Sequence, residues 1–441
     1  MTGDGSLLKT VVHCLFFLLL LSVSADTSLA QAPRWRTLAN APARSSRHDD
    51  VFFWDQSLGW VVNGGGQVFK TTDGGATWQL KFTAPAYLRS VGFATPSRGW
   101  AGTLDSAKIL YQTTDAGTTW SLGQNIPSPH PEGICGISVV SSTVMYGSGR
   151  YDGPAKVIKT LNRGVSWTLI DMSPYAGALV DCYFFHQDSG FVVGSTNSDY
   201  TSGYPVILFT YDGGTTWVPR HTGTRQGELC WKLFFPTRTI GYVSIEHFQG
   251  GPTYYLKTTD GGATWTDRLF LSTSYDVQGI GFWSDSVGWM GGWGGSTYET
   301  TNAGASWHVA TFGYNVNRFR MLSDTLGYAV GQTVYKYSRD SATVDVQARE
   351  PGVPLSYRFE QNYPNPFNPS TEIRYEIAQA GLVTLTVFDL LGKNVATLVN
   401  ELKAPGRYNT TWDAGGLPSG VYYCRLMARD FVETKKMLLI K

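Results

Sequence analysis

The eight residues TTDGGATW occur twice, letter for letter, at 71–78 and again at 258–265. Looser copies lie between and beyond them: TTDAGTTW (113–120), TLNRGVSW (160–167), TYDGGTTW (210–217) and TTNAGASW (300–307). A tryptophan therefore recurs at 78, 120, 167, 217, 265 and 307, in steps of 42 to 50 residues. A period of this length marks a repeat architecture, in which one unit cannot bury its apolar face alone and stacks on its neighbours.

Upstream of each box runs a second pattern: apolar residues, a polar turn, then Gly-aromatic and a further apolar run. VFFWDQSLGWVVNG (51–64), VGFATPSRGWAGT (91–103) and IGFWSDSVGWMGG (280–292) show it most clearly, and ISVVSSTVMYGSG (137–149) carries Met145 in place of the Gly. With the copies at 183–194, 233–244 and 319–331 there are seven, each reading as two short strands and a tight turn. A third strand such as QVFKTT (67–72) follows, and the box leads into a fourth. Four strands in roughly 45 residues are the blade of a β-propeller. The 50 glycines, 14% aromatics and only 16% charged residues suit short strands and turns rather than helices.

The box has a local explanation. Asp73, Asp115, Asp212 and Asp260 are placed to accept backbone N–H groups in the turn between strands three and four. The glycines beside them supply left-handed backbone, and the tryptophan buries its ring at the start of strand four. Asn162 and Asn302 stand where Asp would, and an amide oxygen builds the same turn, so these positions read as structural, not catalytic. The seventh repeat, TVYKYSRDS (333–341), has no following tryptophan, whereas PRWRTLANAP (33–42) matches TWQLKFTAP (77–85). The N-terminal strand is expected to complete the last blade and close the ring without open edges. The fold expected is all-β: a seven-bladed β-propeller over 33–340, then a small Ig-like β-sandwich.

These boxes resemble the Asp-box (BNR) repeats of sialidases, sortilin-type receptors and several glycosidases. The whole unit, hairpin plus TTDGGxTW, is most similar to the photosystem II stability/assembly factor propellers and their bacterial relatives. The resemblance spans about 33–340 and implies fold more than activity.

Lys9 precedes an apolar run through LFFLLLL that is too short to span a bilayer comfortably and ends in small residues near Ala25. Residues 1–25 read as a secretory signal peptide, with no transmembrane segment expected in the mature protein. Beyond it lie Cys135, Cys182, Cys230 and Cys424, expected as mostly buried thiols with room for one bridge and no metal-ligand spacing. The net charge of +1 argues against nucleic acid as a partner.

At 341–356 the repeats give way to a linker. The stretch NYPNPFNPSTEIRYEI (362–377), with LTVFDLLGKNVATLVN, WDAGGLPSGVYYCRL and TKKMLLIK, is similar to the type A C-terminal sorting domain of the type IX secretion system. The positions carrying the likeness are Asn362, Pro364, Asn365, Pro366, Phe367, Asn368, Pro369, Gly392, Gly420, Lys435 and Lys436. It implies the type IX machinery as a partner and a place on the cell surface or outside the cell. The prolines predict an extended, rigid lead-in to the domain at 357–441.

Propeller ligands are expected on the face opposite the boxes, where loops join blades and join strands two and three. Those loops hold Tyr151, Tyr200, Tyr204, Trp231 and His247, with Glu228 and Glu246 as acids. Aromatics with a few carboxylates suit stacking on a glycan or a polypeptide. The leading expectation is a monomeric, secreted or surface-attached binding protein without cofactor, metal or catalysis. A sialidase- or xyloglucanase-like hydrolase is the alternative and needs two carboxyls facing one another, for which Glu228, Glu246, Asp181 and Asp276 are candidates. An extracytoplasmic assembly factor is the third reading.

Overall fold

The computed structural model describes residues 32–44, 47–339, 357–377, 381–404, 406–428 and 431–441. The signal peptide at 1–25 and the linker at 341–356 lie outside the described residues. Among the described residues the regular elements are all strands, and no helix is long and apolar enough to cross a membrane.

Residues 34–338 form seven four-stranded antiparallel sheets. The first runs His48–Phe53, Gly59–Asn63, Gln67–Thr71, Gln79–Thr83 in spatial as in chain order. The next five begin at Leu88–Phe93, Gly136–Val139, Ala178–His186, Glu228–Phe234 and Val277–Phe282. The seventh takes Arg318–Ser323, Leu326–Val330 and Val334–Ser338, and its outer strand is Arg34–Thr37 from the other end of the repeat region. Arg34 pairs with Ser338 and Thr37 with Tyr335, and the Trp35 ring stacks on Phe312 at 4.7 Å. The seven first strands neighbour one another in turn, and Arg318–Ser323 lies beside His48–Phe53.

The Gly-aromatic hairpin has a steric cause. Phe53 pairs across the hairpin with Gly59, and a Cβ there would meet the Phe53 ring at 2.6 Å. The same clash awaits a Cβ at Gly99 from Phe93 at 2.6 Å and at Gly288 from Phe282 at 2.3 Å. In the third sheet the partner is the smaller Val139, and there Met145 is accommodated. The aromatic after the Gly reaches the box turn of the following sheet: Trp60 Nε1 donates to Ala116 O at 3.1 Å, and Tyr328 hydroxyl donates to Gly74 O at 3.0 Å. Trp60, Trp100 and Trp289 are fully buried in this position. Cys135, Cys182, Cys230 and Cys424 are all buried free thiols, so the bridge for which the sequence leaves room is absent.

The C-terminal residues form two facing sheets. One holds Arg358–Phe359, Ser370–Ile377 and Gly406–Asp413, and the other Asn394–Lys403, Gly381–Phe388, Gly420–Ala428 and Phe431–Leu439. Alternate residues of each strand fill a core around Ile373, Leu385, Trp412, Leu426 and Leu439.

Candidate functional site

The box carboxylates are occupied by the turns they build. Asp73 Oδ1 accepts the Thr77 N–H at 2.9 Å and the Thr71 hydroxyl at 2.8 Å, while Oδ2 accepts the Thr77 hydroxyl at 2.6 Å. Asp115, Asp212 and Asp260 repeat this, and the Thr hydroxyl and N–H hold Asp115 and Asp260 down at about 2. Asn162 and Asn302 accept from Ser166 and Ser306 N–H, both at 2.9 Å, and their amide nitrogens donate to the same serines' hydroxyls. Gly74 and Gly75 sit at φ 68° and 90°, the left-handed backbone that this turn requires. In all six sheets with a box, the turn also hydrogen-bonds the hairpin turn of its own sheet, as Gly74 N–H does to Ser57 O at 2.8 Å. Boxes and hairpin turns therefore share one end of the sheets.

Successive residues of the first strands stack in layers along the middle of the seven sheets. At the end away from the boxes, Asp49, Arg89, Trp231, Gln278 and Asn317 are buried together with Arg47. Arg89 Nη1 meets Asp49 Oδ1 at 2.5 Å, Trp231 Nε1 donates to Asn317 Oδ1 at 3.1 Å, and the Arg89 guanidinium lies 5.0 Å over the Trp231 ring. Arg47 bonds Asp49 at 3.2 Å and also Gln278. One layer on come Asp50, Asp181, Lys232 and Arg318. Arg318 joins Asp50 at 3.0 Å and clasps Asp181 at 3.0 and 3.1 Å, and the free lone pairs of both acids accept N–H groups of the next sheet, Val91 and Leu233.

Below this layer opens a cavity of about 840 Å³. All seven sheets line it: Phe52, Phe93, Ser138, Tyr183, Phe234, Phe282 and Arg320 face it, and Arg318 reaches it from the charged layer. It extends to the hairpin turns, where Trp54 and Trp283 are 41% and 36% exposed. The cavity thus belongs to the box-bearing end, opposite to the face expected to bind. Sequence reasoning missed these residues. The available signal was charge: Asp50, Asp181, Lys232, Arg318 and Arg320 interrupt strands that are otherwise apolar.

Of the expected site residues, Tyr151, Tyr200 and Trp231 do converge, with ring centroids 5.8 Å apart for Tyr151–Trp231 and for Tyr151–Tyr200, and Phe248 joins Tyr200 at 4.5 Å. Trp231 is 5% exposed, so this is a packed cluster capping the buried arginines more than an open platform. Tyr204 shares none of these ring contacts and fixes its own loop through Thr196. Glu228 and Glu246 do not face one another. Glu228 pairs with His247 and Leu229 with Glu246 across adjacent strands, so the two acids project from opposite faces of the sheet. Glu228 is held by Arg225, which also binds Asp267 at 2.6 Å. Glu246 is buried and accepts both Gln278 amide contacts at 3.0 and 3.1 Å, and burial pushes it up to about 7.

The expected extended lead-in at 363–369 is instead folded onto the last strand. Asn365 accepts Leu438 N–H at 2.8 Å and donates to Lys436 O at 3.2 Å, while Phe367, buried in the core, exchanges backbone bonds with Leu438 and Ile440. Asn362 Nδ2 donates to Pro364 O at 3.1 Å and to the Thr371 hydroxyl at 2.9 Å. Pro366, Asn368 and Pro369 complete this bend. Gly392 takes φ 78° in the turn that Asp389 caps, Gly420 opens its strand, and Lys435 pairs with Glu433 at 2.6 Å.

Residues 28–147 and 159–311, more than half of the chain, match the sequence model of the photosynthesis system II assembly factor YCF48 family. The chain belongs to that family. Residues 361–441 match the secretion system C-terminal sorting domain. This protein is therefore a type IX secretion cargo, secreted or attached to the cell surface. The photosystem II assembly lipoprotein Ycf48 of Synechococcus sp. (strain CC9902) is 30% identical over 150 residues, 33% of this chain. The match spans only 40% of that relative's length. Among solved structures, YCF48 bound to D1 peptide aligns with a TM-score of 0.53 at 18% identity, over 70% of this chain and 97% of its own. YCF48 from Cyanidioschyzon merolae gives 0.53 and 18%, over 69% and 98%. The WD40 β-propeller domain of Doa1 gives 0.52 at 13% identity, over 70% and 98%. These likenesses show the fold, a β-propeller.

Proposed function

We propose that this protein is a non-catalytic, extracytoplasmic binding protein that holds an apolar segment of a polypeptide in the central cavity at the box-bearing end. The seven sheets are then the seven blades of a closed propeller over 33–340, followed by the linker at 341–356 and an Ig-like sorting domain at 357–441, behind a signal peptide at 1–25.

The observation that carries this reading is the lining of the cavity, to which all seven sheets contribute and six of them an aromatic ring, ending in exposed Trp54 and Trp283. The rings of Phe52, Phe93, Phe234 and Phe282 suit large apolar side chains of a polypeptide, and Ser138, Tyr183, Arg320 and Asp324 among them offer partners for its backbone and polar ends. Asp324 is the one acid among the residues that line the cavity, and Asp50 and Asp181 in the layer above are already tied to Arg318 and to backbone N–H groups, which leaves no free carboxylate pair for hydrolysis. Membership of an assembly-factor family, and the D1 peptide in the solved YCF48 relative, support a polypeptide client.

The test is selection of random displayed peptides on the full immobilised chain, beside a glycan array. Peptides rich in large apolar residues should be enriched, and a Trp54→Ala/Trp283→Ala variant should lose them while keeping its melting temperature. Glycan capture with no peptide enrichment would sink the proposal.

A further inference from the structure

We propose that the floor of the cavity is a carboxylate-binding subsite, with Arg320 the contacting residue, which reads the C-terminal end of an apolar polypeptide. This rests on the reading of the cavity as a polypeptide site.

The first argument is a count of charge. Between the buried cap and the cavity, the first strands bring together Asp50 and Asp181 against Lys232, Arg318 and Arg320. Arg318 takes both acids, one through Nε and the other through both Nη atoms. Among the described residues neither acid hydrogen-bonds the other two bases, which feel them only through space. Lys232 is 1% exposed and its Nζ has no hydrogen-bond partner among the described residues. Arg320 lines the cavity, donates from Nε to Val51 O at 3.3 Å and rests 5.3 Å from the Phe52 ring. No hydrogen bond from its outer nitrogens is described. A buried Lys232 without a carboxylate partner sheds its proton readily, which leaves Asp50 and Asp181 balanced by Arg318 and Arg320. A monoanion on the Arg320 fork is then balanced by the proton that Lys232 takes up.

The second argument concerns shape. The cap of Asp49, Arg89, Trp231 and Asn317 closes the far end, so the cavity is blind. A chain cannot thread it; an end can enter. A guanidinium fork matches a planar carboxylate, and Phe52, Tyr183 and Phe234 around it match a large apolar residue bearing that carboxylate. Burial, reinforced by Arg318, brings Lys232 down to about 7, so an incoming anion draws a proton onto it.

The experiment is calorimetric titration of the full chain at pH 7.5 with acetyl-Gly-Leu-Phe as free acid, with its C-terminal amide, and with 3-phenylpropionate. The acid should bind at least ten-fold tighter than the amide, with net proton uptake seen as a dependence of the heat on the buffer's ionisation enthalpy. Arg320→Gln should abolish the difference between acid and amide, and Arg320→Lys should retain part of it, with folding of both checked by melting. Equal binding of acid and amide overturns the subsite while leaving the polypeptide reading intact. An acid preference that survives Arg320→Gln also overturns it. If 3-phenylpropionate binds as tightly as the peptide acid, the occupant is a small organic acid and the chain-end assignment falls. Silence from all three ligands overturns the subsite, and the displayed-peptide selection then decides the cavity reading separately.

Discussion

Arg318 reaches carboxylates on two other sheets, one of them 268 positions away in the chain, and at 11% exposure it does so in a largely dry setting. Removing one partner of such a cluster leaves the others charged and unpaired. Arg318→Met should therefore destabilise the propeller by about 3–5 kcal/mol in denaturant melts. Arg318→Lys should recover little, because a single ammonium cannot span both acids. Glu246 offers a pH test. Burial raises it from 4.5 to about 7 beside Gln278, with Arg47, Asp276 and Arg89 nearby. Between these values the folded protein holds a proton that the unfolded chain has released, so stability falls as pH rises through 4.5 to 7. Glu246→Gln should match the parent near pH 4 and exceed its melting temperature at pH 8. The box acids have the opposite sign. Asp260 is lowered from 3.8 to about 2, so its contribution is present above 3.8 and lost as pH falls toward 2. At neutral pH Asp73→Ala should cost about 1 kcal/mol, the usual toll of losing a side chain that caps backbone N–H groups.

Each hairpin couples one aromatic to one glycine, and the third sheet shows the alternative pairing of Val139 with Met145. That contrast defines an exchange experiment. Gly99→Met drives its side chain into Phe93 and should cost about 1–3 kcal/mol by overpacking. Adding Phe93→Val should restore part of that stability, so a double-mutant cycle should return a favourable coupling between the two sites. Additive losses would show that the Gly serves the turn alone. The hairpins and boxes were legible in the sequence because their chemistry is local: a turn, two glycines and the acid that caps them lie within eight residues. The bend at 363–369 was misread for the converse reason. Asn365 and Phe367 are satisfied by Lys436, Leu438 and Ile440, some seventy residues on, and proline's local preference for extended chain yields to those contacts.

At the scale of the molecule, the strand Arg34–Thr37 fastens the seventh sheet, and Trp35 packs among Trp289, Phe312, Phe319 and Tyr337. Trp35→Ala should cost about 3–5 kcal/mol and lower the denaturation midpoint of the whole propeller, since the lost ring lies where the two ends of the repeat region meet. The pairing of that strand with the seventh sheet was readable from the repeat arithmetic, because a missing tryptophan at one end was matched by an extra one at the other. The site was not. The period of the boxes, the seven hairpins and the C-terminal motif determined by themselves an all-β repeat protein and its export. Which end of the sheets carries the cavity depended on where seven strands, scattered over residues 48 to 323, bring their alternate side chains together. Asp50, Asp181, Lys232, Arg318 and Arg320 look in sequence like isolated charges in apolar strands. Only the packing of the sheets makes them one cluster with two acids and three bases, because charge balance is a property of space rather than of chain order.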